Sequence, residues 1–271
     1  MNEQPRRDLR RPMRPAWLHV AAVLVAIVSA PRVEATDIRV MISGGLSAAY
    51  KELVPQFEKM TGNTVITSYG PSMGTTENAI PVRLARGESA DVLIMVGDAL
   101  GVMISKGHAD PGSRVDLVRS PIGMAVRAGA PKPDISTPDA LKATLLHAKS
   151  VAYSDSASGV YVGTELFKRL GVASEMEGKA RMIPAEPVAG VVARGEAELG
   201  FQQISELLPI PGADLVGPLP PELQKFTIFS AALTKDSRTR EQGKALIDFL
   251  ASAAAAPALV KSGLEPIAHT R

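Results

Sequence analysis

Residues 37–96 decide the fold class: DIRVMISGGLSAAYKELVPQFEKMTGNTVITSYGPSMGTTENAIPVRLARGESADVLIMV. Three runs in this stretch have the length and the apolar content of strands, namely residues 37–42, 64–69 and 90–96. Apolar residues between the first two runs recur at helical spacing over residues 46–60, and residues 76–86 predict a second helix. Strands that alternate with helices are typical of an α/β fold with a parallel sheet.

A second α/β set follows residue 149. Its predicted strands are residues 150–153, 181–183, 198–202, 214–216 and 226–233, and its predicted helices are residues 160–170, 187–193, 237–251 and 253–262. Residues 115–127 form a long extended stretch that Pro121 interrupts. Together with residues 225–233, this stretch could join the two halves. We therefore expect two lobes, residues 36–120 plus 230–271 and residues 121–229, with a ligand cleft between them.

Residues 1–35 predict an export signal. An Arg-rich segment, residues 6–14, precedes an apolar run at residues 16–29, and Ala35 ends a small-x-small motif that is typical of a signal peptidase site. Ala30 offers a second cleavage point. The run is shorter than the roughly 20 residues of a membrane span, although an uncleaved anchor remains the alternative. A protein exported in this way would work in the periplasm.

Charge and cysteine content narrow the classes of function. The chain has 30 basic and 28 acidic residues, but residues 1–35 carry six of the former and three of the latter. Residues 36–271 are therefore close to neutral and lack the basic stripe of a nucleic-acid-binding protein. The absence of cysteine excludes disulfides, thiolate metal sites, a cysteine nucleophile and a lipid-modified N-terminal cysteine.

Three loops share one composition, in which a strand ends, Ser or Gly residues follow, and a helix begins. They are residues 43–45, 70–74 and 156–159, and Pro187-Val188 opens a fourth helix. Helix N-termini present free N–H groups and the positive end of the helix dipole, and small residues let an anion approach them closely. Ligands of α/β sheets bind at the carboxyl ends of strands, where these loops would lie. The loops therefore predict an anion site, with ordinary helix capping as the alternative.

Most short enzyme motifs are absent from the sequence. It contains no Walker, His-Glu-x-x-His or Gly-x-Gly-x-x-Gly motif, and only residues 70–74 (GPSMG) have the spacing of Gly-x-Ser-x-Gly. A secreted hydrolase that uses Ser72 or Ser158 would need a nearby histidine, but His108, His147 and His269 are isolated. We therefore expect a binding protein without enzyme activity, resident metal or cofactor.

Arg83 allows two interpretations. It follows Pro81 on the predicted helix after the 70–74 loop. It belongs either to a solvated helix face or to the cleft, where it would clamp a carboxylate.

Six segments occur in an order that resembles the periplasmic molybdate-binding protein family. They are residues 40–46 (VMISGGL), 70–74 (GPSMG), 86–91 (RGESAD), 158–161 (SGVY), 184–188 (PAEPV) and 190–200 (GVVARGEAELG). The resemblance covers residues 37–268. It implies a type II periplasmic binding fold, two α/β lobes that close on an oxyanion such as molybdate or tungstate. It also implies a monomer that passes this anion to an ABC permease in the inner membrane.

The resemblance implies five ligand-binding positions, which fall on Gly45, Ser72, Ser158, Val188 and Gln203. Two of them depart from the family pattern, because Gly45 lacks the serine hydroxyl and Gln203 replaces a tyrosine. Ser43 or Ser47 would then supply the first hydroxyl. The departures favour a second hypothesis, in which the same fold binds a small organic carboxylate with Arg83 as its clamp.

Overall fold

The computed structural model describes residue 1, residues 35–184 and residues 186–268. The predicted export signal lies outside the described residues except at its two ends, and so does His269. In the part of the chain that is described, no helix is long and apolar enough to cross a membrane. Both sheets of the fold belong to one unit, Glu34–Arg271.

The described residues form strands and helices that alternate through most of the chain. The strands are β1 (Asp37–Ile42), β2 (Thr64–Tyr69), β3 (Val92–Val96), β4 (Val115–Ser120), β5 (Ile122–Arg127), β6 (Val151–Ser154), β7 (Ala180–Ile183), β8 (Leu199–Gln203), β9 (Ala213–Pro218), β10 (Thr227–Leu233) and β11 (Glu265–Pro266). The helices are α1 (Ser47–Thr61), α2 (Ile80–Ala85), α3 (Gly97–Ser105), α4 (Pro138–His147), α5 (Ala157–Tyr161), α6 (Phe167–Arg169), α7 (Ala173–Met176), α8 (Val188–Ala193), α9 (Ile204–Leu207), α10 (Arg240–Leu250) and α11 (Ala256–Lys261). A π-helical turn, Val162–Leu166, makes α5 and α6 one continuous helix.

The first sheet has six strands in the order β11-β4-β10-β3-β1-β2. β1 pairs in parallel with β2 and β3, whereas β10 is antiparallel to β3 and β4. Successive side chains of a strand point to opposite faces. Val40 and Ile42 therefore pack on the face covered by α1, α10 and α11, while Met41 packs on the face covered by α2 and α3. Burial on both faces explains why the run at residues 92–96 is wholly apolar.

The second sheet has five strands in the order β7-β6-β8-β5-β9. β6 is parallel to β7 and β8, and β5 is antiparallel to β8 and β9. One face is covered by α4 and by the continuous helix that starts at α5, with Leu141, Leu145 and Leu166 fully buried. Helices α8 and α9 cover the other face through Val188 and Leu207. The two sheets confirm the predicted α/β class.

The chain passes between the sheets twice. The first crossing is Pro121, between β4 in the first sheet and β5 in the second, and the second is residues 219–226, between β9 and β10. All of β10 lies in the first sheet, so the prediction that residues 225–233 run between the halves is corrected. The crossing is made by the residues that precede this strand. The proposed lobe limits remain a prediction.

Several helices differ from the sequence expectation, and three of them show the physical reasons. The helix expected at residues 76–86 covers only Ile80–Ala85, because the preceding residues form turns and Gly74 has a φ of 95°. α4 is missing from the prediction, although Thr137 caps it by accepting a hydrogen bond from the Ala140 N–H at 3.1 Å. α9 is also missing, because four residues are too few to show a helical period.

Candidate functional site

The serine-rich and glycine-rich loops follow the strands that the sequence analysis predicted. Ser43 follows β1, Ser72 follows β2, and Ser158 lies in the first turn of the helix after β6. Parallel strands place their carboxyl ends at one edge of a sheet, so each sheet presents its loops at that edge. Ala157 packs against the hydrophobic cluster of the first sheet, which brings the two sets of loops together.

The hydroxyl of Ser43 is buried without a partner. The residue is 3% exposed, and its Oγ has no hydrogen-bond partner among the described residues. Its backbone N–H donates to Ile94 O at 3.0 Å, which fixes the residue beside β3. A buried hydroxyl without a partner costs about 1–3 kcal/mol, so such groups are expected to meet a ligand or water. Ser43 therefore fits the predicted role of first hydroxyl.

Gly45 cannot carry the hydroxyl that the family places there. A Cβ at this position would overlap the Phe229 ring of β10, which is 3% exposed and held in the core. Ser47, the other proposed replacement, donates its hydroxyl proton to Ser43 O at 3.2 Å. Of the three residues, Ser43 alone presents a buried hydroxyl that the described residues leave unpaired.

Ser72 fastens its loop to the end of β3. Its Oγ accepts a hydrogen bond from the Val96 N–H at 2.9 Å, and the residue is 6% exposed. A hydroxyl that accepts one bond still has its own proton to donate. Thr76, in the same loop, has a buried Oγ1 with no partner among the described residues. This loop therefore offers two hydroxyls.

A cluster of three hydroxyls lies at the start of α5. The Oγ of Ser154 is 2.8 Å from that of Ser156 and 3.1 Å from that of Ser158, and the last two are 3.3 Å apart. Ser158 is fully buried and Ser156 stands at the cap position of the helix. Each hydroxyl can donate one proton and accept others, so the three oxygens can bond one another and an anion could accept one of their protons.

Val188 and Gln203 make contacts within the protein. The Val188 N–H donates to Gln202 Oε1 at 2.9 Å, so the predicted backbone donor has a partner. The Gln203 amide joins the two crossings, with its nitrogen 2.9 Å from Ser120 O and its oxygen 2.6 Å from Thr227 Oγ1. Gln203 therefore links the two segments that cross between the sheets. The ligand contacts proposed for Val188 and Gln203 remain predictions.

Arg83 is held by an ion pair. Its Nε donates to Glu88 Oε2 at 2.9 Å, its second terminal nitrogen donates to Glu88 Oε1, and its first lies 3.4 Å from Tyr69 O at the end of β2. The pair lowers the pKa of the Glu88 carboxyl. A guanidinium has five N–H donors, so two remain for a ligand. The clamp role stays a prediction.

The sequence analysis missed Glu206. It lies on α9, directly after β8, and its Oε1 occupies the space that a Cβ on Gly44 would need. Burial raises the pKa of the Glu206 carboxyl to about 7; a hydrogen bond from the Gln202 side chain lowers the pKa in part, and the charge of Asp155 raises it. The Glu206 carboxylate, on a helix that packs on the second sheet, thus contacts Gly44 in the loop that follows β1 of the first sheet. An acidic residue directly after a buried strand was the available signal.

The larger of the two described cavities lies elsewhere. Its volume is about 850 Å³, and it opens between α4 and the first residues of β8, where Thr144, His147 and Leu199 line it. This is the edge of the second sheet opposite to the serine loops. Nor do the described residues contain a group of three or more His, Asp or Glu side chains that could hold a metal ion.

Two relatives by sequence bear on this site. The chain is 53% identical over 232 residues to a protein of Pseudomonas sp. named aconitate isomerase, which spans 86% of this chain and 88% of the relative. It is 26% identical over 179 residues to the molybdate-binding protein ModA of Azotobacter vinelandii, which spans 64% and 67% of the two chains. The resemblance to molybdate-binding proteins is confirmed.

The first relative also corrects an expectation. It is named as an enzyme at 53% identity, which contradicts the expectation that this chain has no enzyme activity. That expectation relied on missing nucleotide and metal motifs and on the lack of a histidine near Ser72 or Ser158. Proton transfer by a single carboxylate has no short sequence motif, so the absence of those motifs could not exclude an isomerase.

Solved structures and a family model agree on the fold. The periplasmic molybdate-binding protein of Azotobacter vinelandii superposes with a TM-score of 0.67 at 20% identity, over 86% of this chain and all of that one. This likeness confirms the two-lobed type II periplasmic binding fold. The family model of bacterial extracellular solute-binding proteins matches residues 38–265. The chain belongs to the family of bacterial extracellular solute-binding proteins.

Proposed function

We propose that this protein binds the tricarboxylate aconitate between its lobes and interconverts the cis and trans isomers. The observation that carries the proposal is the 53% identity to aconitate isomerase over most of both chains. The family match and the character of residues 1–35 support the periplasm as its place of action.

The reaction needs an acid–base site and no external reagent. Aconitate carries a methylene group next to its double bond, and both are flanked by carboxylates. Removal of one methylene proton gives an anion whose charge spreads over three carbons and the carboxylates. Return of a proton to the other end moves the double bond, whose geometry then follows the bound conformation of the former single bond. One C–H bond breaks and one forms, so atoms and electrons balance.

The hydroxyl loops suit the carboxylates of this substrate. Ser43, Ser72 and the cluster around Ser158 each offer a hydroxyl at the loops that meet in the cleft. Hydrogen bonds to a charged acceptor are stronger than those between neutral groups. In this proposal, Arg83 binds a substrate carboxylate through the two N–H donors that have no partner among the described residues.

A receptor function is the second candidate, and the family match favours it. In this case the protein holds the anion unchanged and passes it to an ABC permease. Tungstate and molybdate fit this role less well, because Phe229 occupies the place of the first-loop hydroxyl that the family uses. An organic acid is therefore the preferred ligand for both functions.

Incubation with a single isomer tests the proposal. The protein expressed from the full sequence is mixed with trans-aconitate, and the cis isomer is measured over time by chromatography. We expect both isomers to reach the same equilibrium mixture from either direction. Binding of aconitate without conversion would favour the receptor, and calorimetric binding of molybdate but not aconitate would overturn the ligand assignment.

Ser43→Ala is expected to weaken aconitate binding without loss of stability. The variant removes a buried hydroxyl that has no described partner, so folding loses no hydrogen bond. A hydrogen bond to a carboxylate contributes about 1.5–3 kcal/mol, which corresponds to a roughly 10- to 150-fold higher Kd. Calorimetric titration and thermal unfolding measure the two effects. A variant that binds like the wild type would place Ser43 outside the site.

Arg83→Ala tests the clamp. If Arg83 holds a ligand carboxylate, its loss raises the Kd for aconitate at least tenfold, because a charged hydrogen bond is removed. Arg86→Ala is the matched control, since Arg86 bonds the same Glu88 at 3.0 Å from an exposed position. Equal effects of the two variants would reduce Arg83 to a structural partner of Glu88.

A further inference from the structure

Glu206 is the titratable group of the cleft that the binding role does not explain. Its helix, α9, packs against β5, β8 and β9 of the second sheet, and its carboxylate reaches the 3-10 turn Gly44–Leu46 of the first. Glycine at residue 44 leaves room for that carboxylate. The acidic group therefore lies where the two sheets meet. The residue that it contacts, Gly44, directly follows Ser43, whose hydroxyl has no partner among the described residues.

We propose that Glu206 is the catalytic base of the isomerisation. The inference rests on the proposed function. Glu206 takes a proton from the methylene carbon of the bound tricarboxylate, so that a C–H bond breaks and an O–H bond forms on the carboxylate. The electron pair of the broken bond spreads over the three-carbon unit. The new carboxylic acid then donates the proton to the far carbon, which restores the base.

His108, His147 and Tyr69 are less suited to act as this base. His147 binds Ala143 O at 2.7 Å on the exposed end of α4, and His108 follows α3. Tyr69 ends β2, but burial raises the pKa of its phenol above the ordinary value of 10. Asp155 lies close enough to act on Glu206 by its charge. Of the two interacting carboxylates, Glu206 is the one that contacts the first loop.

The surroundings of Glu206 suit a group that both takes and returns a proton. Gln202 lies between the Val188 N–H and the Glu206 carboxylate and fixes the latter by a hydrogen bond. Burial and, to a smaller extent, the charge of Asp155 make the carboxyl hold its proton more tightly, and the resulting pKa of about 7 matches neutral operation. The strands packed against α9 carry two further charged groups, Arg127 and Asp214. Arg127 ends β5, and Asp214 on β9 pairs with the neighbouring Val126. Asp214 accepts a hydrogen bond from the Gly129 N–H at 3.0 Å.

Glu206→Gln tests the assignment. The amide keeps the shape of the side chain but cannot take a proton, so we expect kcat for aconitate to fall by roughly 10²–10⁴-fold while the Kd changes little. Glu206→Asp keeps the acid but withdraws it by about 1.5 Å, and at least a tenfold loss is expected. Glu175→Gln, on the exposed face of α7, is the matched control and should retain full activity.

The pH profile separates proton transfer from a structural role. Wild-type kcat/KM is expected to rise with pH as Glu206 deprotonates. Asp155→Asn removes the neighbouring negative charge, so the acid limb should move to lower pH. Glu206→Gln activity within tenfold of wild type, or an acid limb that Glu206→Gln leaves in place, would overturn the assignment. Wild-type protein that binds aconitate without converting it would instead overturn the proposed function.

Discussion

Gly44→Ala is expected to lower the proposed isomerase activity by roughly a hundredfold while the protein remains fully folded. The added methyl group would overlap Glu206 Oε1, which lies at the end of a flexible side chain. The carboxylate can therefore turn away at little cost, and a displacement of about 1 Å from a catalytic position can reduce a rate by this factor. Gly44 lies in a 3-10 turn, whose backbone conformation alanine also adopts, so no strain opposes the substitution.

The readouts for this variant are kcat, the Kd for aconitate and the midpoint of thermal unfolding. Gly217→Ala in β9 is the matched control, because no atom lies within 4 Å of the position of its Cβ. We expect the control to keep both activity and stability. Full activity in Gly44→Ala would show that the carboxylate is not needed beside the first loop, and would remove the geometric argument for Glu206 as base.

The sequence predicted best those elements whose signal is local. The bounds of β1 and β2 agree to the residue, because each apolar run is followed within a few residues by glycine. The loop positions of Ser43 and Ser72 were predicted for the same reason, since both follow the end of a strand, and their role in binding stays a prediction. α9 has four residues and no period, so the pattern that reveals longer helices does not exist there.

The parts that were missed depend on contacts between distant residues. Phe229 lies 184 positions beyond Gly45, and only the pairing of β10 with β3 places its ring in the first loop. In the sequence FQQISELLPI, Glu206 looks like an ordinary exposed acid. Its pKa is raised only in the folded protein, where it is buried against the first loop. Enzyme activity was not expected because no short sequence motif marks a single buried carboxylate. The ion pair of Arg83 and Glu88 joins residues only five positions apart, so it could have been predicted from the local sequence.

Glu206 is expected to make the protein less stable as pH rises from about 4.5 to about 7. The folded state holds the Glu206 proton with a pKa of about 7, against an ordinary value of 4.5 for an exposed glutamate. Below pH 4.5 the proton is bound in both states. Between the two values the unfolded chain releases it and the folded protein retains it, so rising pH favours unfolding. The full effect corresponds to about 3 kcal/mol, at 1.36 kcal/mol for each pKa unit.

Urea unfolding of wild type and Glu206→Gln at pH 5 and pH 8 measures this linkage. Carboxylates with a lowered pKa, such as Glu88, stabilise the protein as pH rises, so the slope of the wild type alone mixes opposite effects. The difference between the two proteins removes them, because the variant lacks only the Glu206 titration. We expect the variant to gain stability relative to wild type by an amount that grows by about 2.5 kcal/mol between the two pH values, since part of the effect is already present at pH 5. A difference that does not change with pH would mean that the Glu206 carboxyl keeps its ordinary pKa, and that the first loop does not bury it.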